Sequence, residues 1–173
     1  GESQWITSEA SRKDVQQFRA ESSAILSTSA TVITDNPSLN VRWSELNNAI
    51  RQEYPERDLR QPLRIILDGH NRVTPDLRLF SLPGDILLVR TERGDERWPD
   101  NVEQMVIPAH NGGIDLVVLM MQLGRRQINT IWTEAGQTLA GALLQAGLID
   151  ELVLYMAPKL LGDDARGLCK LPG

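Results

Sequence analysis

Apolar positions along the chain fall in short runs separated by polar stretches. "AILST" (24–28) reads as a short buried strand and "LRIILD" (63–68) as a strongly apolar one, with "DILLVRT" (85–91) and "QMVIPA" (104–109) as the next two. "INTIWTE" (128–134) and "DELVLYMAP" (150–158) follow, the second stopping at Pro158 and read as the last strand. Runs of four to six apolar residues without alternation are what a sheet covered on both faces requires. Helix-length patterns lie between them. Ser8 can cap a helix reaching about Ala20, with Ala10, Val15 and Phe18 at near-helical spacing. "IDLVVLMMQLG" (114–124) has the length of a helix and ends on Gly124, a plausible residue to close it. Gln137 to Ala146 reads as another, ended by Gly147. The alternation predicts an α/β domain of three layers, with helices on both faces of a mostly parallel sheet.

Two stretches interrupt the alternation. "SATVITDNPSLNVR" (29–42) reads as a long irregular connection, because Pro37 blocks helix continuation and Asp35-Asn36 supplies turn chemistry. Trp43 to Gln61 is polar and charged and reads as a surface insertion with a helical turn or two before Pro55.

Composition narrows the function classes. At 173 residues the chain suits one domain with a real core. Its single cysteine, Cys169, excludes an internal disulfide and points to the cytoplasm. Net charge is −5 and no more than two basic residues are adjacent, which argues against nucleic-acid binding. No apolar run approaches the roughly 20 residues a membrane span needs. The start "GESQWITSEA" lacks a basic segment followed by an apolar one, so it does not read as a signal peptide. His70 and His110 stand apart from other ligand types, and no H-x-x-x-H, C-x-x-C or H-x-E pattern occurs, so a zinc site is not expected.

The candidate chemistry centres on "TEAGQTLAGALL" (133–144). Glu134 stands at the end of an apolar strand, where ligands collect in open α/β sheets. Gly136 follows and a helix begins at once. A helix start offers free N–H groups to a phosphate, provided the backbone can be approached, and Ala135, Gly136, Ala140 and Gly141 are all small. Thr138 adds a hydroxyl. Small residues equally serve helix–sheet packing, and neither G-x-G-x-x-G nor G-x-x-x-x-G-K-[ST] is present. A carboxylate beside apolar residues needs a partner, either a ligand's N–H groups or a nearby arginine. Residues 29–42 add Ser29, Thr31, Asp35, Asn36 and Arg42, whose planar fork matches phosphate oxygens.

Taken in order, "SQWIT" (3–7), Arg19, residues 29–42, "TEAGQTLAGALL" (133–144) and "APKLLG" (157–162) resemble the reductase domain of the bifunctional riboflavin-biosynthesis deaminase/reductase. The resemblance implies a dihydrofolate-reductase-like fold. It also implies NADPH-dependent reduction of 5-amino-6-(5-phosphoribosylamino)uracil to its ribitylamino form. By resemblance, Ser3, Arg19, Leu39, Arg42 and Glu134 hold the substrate, and Glu134 is also the candidate catalytic group. Trp5, Thr31, Asp35 and Gly69 line the cofactor site, and Gly136, Gln137, Thr138, Leu139, Ala140, Gly141 and Ala142 receive the cofactor's phosphates. Ala135 replaces a glycine, Gly69 replaces a serine, and Asn36 stands second in the usual "DDP".

The resemblance further implies that 1–173 is a reductase domain lacking the family's first strand and its last strands. The zinc-binding deaminase domain, with its H-x-E and P-C-x-x-C ligands, is not in this chain. A homo-oligomer is implied as well. Two alternatives stand beside this reading: another pyrimidine reductase of the same fold, and an inactive nucleotide-binding fragment.

Overall fold

The computed structural model of the chain describes residues 2–7, 12–135, 137–148, 151–156 and 166–170. Ten strands and five α-helices occur among them, in the order β1 (Glu2–Thr7), α1 (Arg12–Glu21), β2 (Ala24–Thr28), α2 (Ser29–Asp35), α3 (Asn48–Glu53), β3 (Leu63–Leu67), β4 (Ile86–Arg90), β5 (Val102–Val106), β6 (Ala109–His110), β7 (Gly113–Ile114), α4 (Leu116–Arg125), β8 (Thr130–Glu134), α5 (Gln137–Gln145), β9 (Glu151–Met156) and β10 (Arg166–Lys170). Eight strands form one sheet in the order β1-β9-β10-β8-β2-β3-β4-β5. All of its pairings are parallel except the two that β10 makes, with β8 and with β9. β6 and β7 form a separate two-stranded ribbon.

Alternate residues of the central strands enter different cores. Leu26, Ile65, Leu67, Leu87, Val89 and Ile131 pack with Leu119, Met120 and Leu123 of α4 and Leu143 of α5. Their neighbours Ile25, Ile66, Ile86, Leu88 and Trp132 pack with Val15 of α1 and Val32 of α2. Successive side chains on a strand point to opposite faces, so strands that are apolar throughout must be covered twice. This is the expected three-layer α/β architecture. On the second face Phe18 stacks on Trp132, with ring centroids 4.7 Å apart and planes within 3°.

Four expectations need correction. Residues 29–35 are helical, not irregular. The Thr28 side chain accepts the N–H of Thr31, Val32 is buried, and Asn36 closes the helix in the left-handed region with φ 45°. Pro37 therefore follows the helix and does not prevent it. The helix expected to close at Gly124 runs on to Arg125, and Gln127, with φ 62°, is the left-handed residue beyond it. β9 is not the last strand: β10 follows it and returns antiparallel. The strand expected over 104–109 lies at Val102–Val106, with the β6–β7 ribbon after it. Ser8 and Pro158 lie outside the described residues.

Candidate active site

Strands β8, β2, β3 and β4 run parallel side by side, so their carboxyl ends share one edge of the sheet. Successive strands extend from β2 through β3 and β4 on one side, while β8 flanks it on the other. Crevices at such reversals are where open α/β sheets bind ligands. The ends are level: Thr28 pairs with Leu67, Leu67 with Val89, and Leu26 with Thr133. Ser27, fully buried on β2, donates its hydroxyl to the Glu134 carbonyl at 2.7 Å and ties the two strand ends together. Glu134 with the start of α5, Thr28 with α2, and Asp68-Gly69 therefore emerge from three adjacent strands.

The partner of Glu134 is an arginine. Arg19 Nε donates to Glu134 Oε2 at 2.7 Å and Arg19 Nη2 to Glu134 Oε1 at 2.8 Å. Both side chains are buried, 9% and 6% exposed. Arg19 Nη1 also donates to the Asn40 carbonyl at 2.9 Å. One guanidinium thus joins α1, the end of β8 and the segment after α2. A two-pronged, charge-assisted contact fixes the carboxylate in orientation as well as position.

Other residues singled out in the sequence take varied places. Leu39 is 1% exposed and belongs to the core, with φ 49°. Arg42 is partly exposed and contacts Glu45 through Nε at 3.1 Å, while its two terminal nitrogens make no hydrogen bond among the described residues. The Thr31 N–H donates to Thr28 Oγ1 at 3.3 Å, and Asp35 is exposed at the end of α2. The Gly69 carbonyl accepts from Thr91 Oγ1 at 3.0 Å, and a Cβ at Gly69 would meet only Ile114 at ordinary contact distance. Gly136 lies outside the described residues, and Gln137, Thr138 and Ala140 are described as helix backbone only. Leu139 packs on the core beneath α5, Ala142 is half-buried, and Gly141 is exposed with open space where a Cβ would stand. Ser3 and Trp5 are on β1, separated from β8 by β9 and β10, and are not drawn into this group.

Sequence reasoning missed a second charged network at the same edge. Asp68 follows β3 and accepts the N–H groups of Arg72 at 2.8 Å and Val73 at 3.1 Å, and Arg90 Nε at 3.2 Å. Arg90, fully buried, also donates to Glu96 at 2.8 and 2.9 Å, to Gln104 at 3.0 Å and to the Val73 carbonyl at 3.3 Å. Burial works against the Arg90 cation, but Glu96 and Asp68 outweigh it and raise its pKa. The hydrogen bond from Arg90 in turn holds the Glu96 carboxyl below its ordinary range. The signal was available: a charged residue closing each of two apolar strands must find a partner. Among the described residues no group of three or more His, Cys, Asp or Glu could hold a metal ion.

Sheet order and helices on both faces define a domain of the dihydrofolate-reductase-like class. Solved structures agree: RibD from Acinetobacter baumannii matches with TM-score 0.64 and 26% identity, over 98% of this chain and 52% of that one. The Saccharomyces riboflavin biosynthesis reductase Rib7 shares the fold at TM-score 0.61 and 15% identity, over 98% of this chain and 88% of that one. Residues 1–173 match the RibD C-terminal domain, and the chain belongs to that family. The riboflavin biosynthesis protein RibD of Escherichia coli is 61% identical over 173 residues, which is all of this chain and 47% of that protein. The chain thus spans about half the length of such relatives. A protein of Buchnera aphidicola, named 5-amino-6-(5-phosphoribosylamino)uracil reductase, is 46% identical over 99% of this chain and 83% of its own length.

Proposed function

We propose that this domain reduces 5-amino-6-(5-phosphoribosylamino)uracil to the 5-phosphoribitylamino compound with NADPH, in riboflavin biosynthesis. The Buchnera relative named for this reaction supports the reading over nearly its whole length. The observation that carries it is the Arg19–Glu134 pair, which joins the end of β8 to the 39–42 segment beside the start of α5.

The residues suit a nicotinamide dinucleotide. α5 has no acidic residue in its first turn to compete with a phosphate, and Gly141 leaves open space on its surface. The 136–142 stretch would hold the phosphates, with Thr31 and Asp35 of α2 and Gly69 after β3 also lining the cofactor site. When bound, the cofactor supplies the hydride that C1′ of the sugar accepts. As the C1′–O4′ bond breaks, O4′ takes up a proton. Glu134, held by Arg19, would orient the substrate at that end and is this chain's candidate donor for that proton. Arg42 would present its terminal nitrogens to the substrate phosphate. Orientation of the two reactants can supply about 7–11 kcal/mol of the barrier. On this reading the domain works in the cytoplasm, in a homo-oligomer, beside a deaminase domain. A related Thermotoga maritima structure is described as both deaminase and reductase.

The test is steady-state kinetics of Arg42→Ala in the full-length protein, following NADPH oxidation. The Michaelis constant for substrate should rise about 10- to 100-fold, the range for a charge-assisted contact of roughly 1.5–3 kcal/mol. An unchanged Michaelis constant removes Arg42 from the substrate site.

A further inference from the structure

Among the described residues, no strand pairs with the segment that carries Arg42. Its backbone is instead held by two glutamine side chains. Gln61 Oε1 accepts the Val41 N–H at 2.8 Å, and Gln61 Nε2 donates to the Val41 carbonyl at 2.9 Å. Gln16 Oε1 accepts the Arg42 N–H, and Gln16 Nε2 donates to the Asn40 carbonyl at 3.3 Å. In an extended chain, the N–H and C=O of one residue point to one side, and the flanking C=O and N–H point to the other. Each primary amide carries the same donor and acceptor as a peptide group. The two glutamines therefore stand where two flanking strands would, one on each side of Val41.

Their own placement is constrained. Gln16 is 1% exposed on α1, three residues before Arg19, so it shares a face with the residue that holds Glu134. Gln61 ends the polar insertion, just before β3. Gly84, with φ 108°, leaves room for it: a Cβ there would lie 2.8 Å from the Gln61 Cβ. Between the two amides the chain is pinned by buried Leu39 and Val41. Leu39 adopts the left-handed region at φ 49°, which for such a residue persists only when its surroundings enforce it. Asn40 Oδ1 is buried without a hydrogen-bond partner among the described residues, a further sign that the segment's shape is imposed on it.

We propose that Gln16 and Gln61 are positioning residues for substrate binding. They preform residues 39–42 and so set where the Arg42 guanidinium meets the substrate phosphate. The inference rests on the function proposed above. Neither glutamine touches the substrate; each acts through the backbone on either side of Val41.

The experiment measures Michaelis constant and turnover of full-length Gln16→Met, Gln61→Met and Arg42→Ala, on the phosphorylated substrate and on the same compound without its phosphate. Gln61 is only half-buried, so its variant keeps the test open should Gln16→Met fail to fold. Each glutamine variant should raise the Michaelis constant for the phosphorylated substrate about tenfold, leave turnover within about threefold, and barely affect the unphosphorylated compound. The preference for phosphate then shrinks. A lowered melting temperature with unchanged Michaelis constants overturns the inference, as does an equal rise for both compounds. Loss of phosphate preference in Arg42→Ala but in neither glutamine variant also overturns it while leaving the functional reading intact. Retention of that preference in Arg42→Ala removes Arg42 from the substrate site, and the inference with it.

Discussion

Arg19 and Arg90 are both buried, and both grip carboxylates near the carboxyl ends of the sheet. They differ in what they join. Arg90 makes five hydrogen bonds, to Asp68, Glu96, Gln104 and Val73, and its plane lies over Trp98 at 5.4 Å. All its partners belong to loops and strands between residues 68 and 104, and every guanidinium N–H is used. Arg19 joins α1 to Glu134 and to Asn40, segments 115 and 21 residues away. The first network closes a set of neighbouring loops. The second ties α1 to the end of β8 and to the segment proposed to meet the substrate. A buried charge pair therefore reports only that each charge has found a partner; the segments it joins decide whether it bears on chemistry.

The comparison breaks most plainly on stability. Arg90→Met leaves Asp68 and Glu96 without their cation and should cost about 3–5 kcal/mol, read from urea unfolding. The folded fraction should keep its Michaelis constant for substrate, and a large rise would erase the distinction between the networks. Glu134→Gln should show the reverse pattern. Turnover falls about 100-fold, in the range for a positioned acid–base or orienting group, while cofactor affinity by fluorescence titration changes only a few-fold. Loss of cofactor binding with turnover spared would move Glu134 out of the substrate site.

The smallest effect is in acid. Because the folded Glu96 carboxyl titrates below its ordinary value near 4.5, its contribution is present above that pH and is lost as pH falls through the folded value. Wild-type stability should decline more steeply below about pH 4.5 than that of Glu96→Gln. Parallel declines in the two proteins would show that Arg90 does not hold Glu96 in solution.

Much of this was legible in the sequence, for identifiable reasons. Strands β3 and β4 stood out because Ile65, Ile66, Leu87 and Leu88 must each find an apolar face, and two faces were available. Glu134 stood out as a carboxylate at the end of such a strand. The helix α2 did not, because "SATVITD" has weak helical propensity and its start depends on one hydroxyl, Thr28, bonded to Thr31. β10 was missed since "RGLCK" has no apolar run, and its place comes from pairing with β8 and β9. Gln16 and Gln61 left no local trace: an amide that bonds a backbone more than 15 residues away looks like any surface glutamine until the chain is folded. Arg90 and Asp68 did leave one, a charge at the end of an apolar strand, and the pairing rule that exposed Glu134 applies to them equally.

The most direct measurement is the structure of the full-length protein with NADPH and substrate bound. The cofactor's phosphates should lie against residues 136–142 at the start of α5, with the substrate between Glu134 and Arg42. Cofactor on another face of the sheet, or a substrate phosphate beyond the reach of Arg42, would contradict the account.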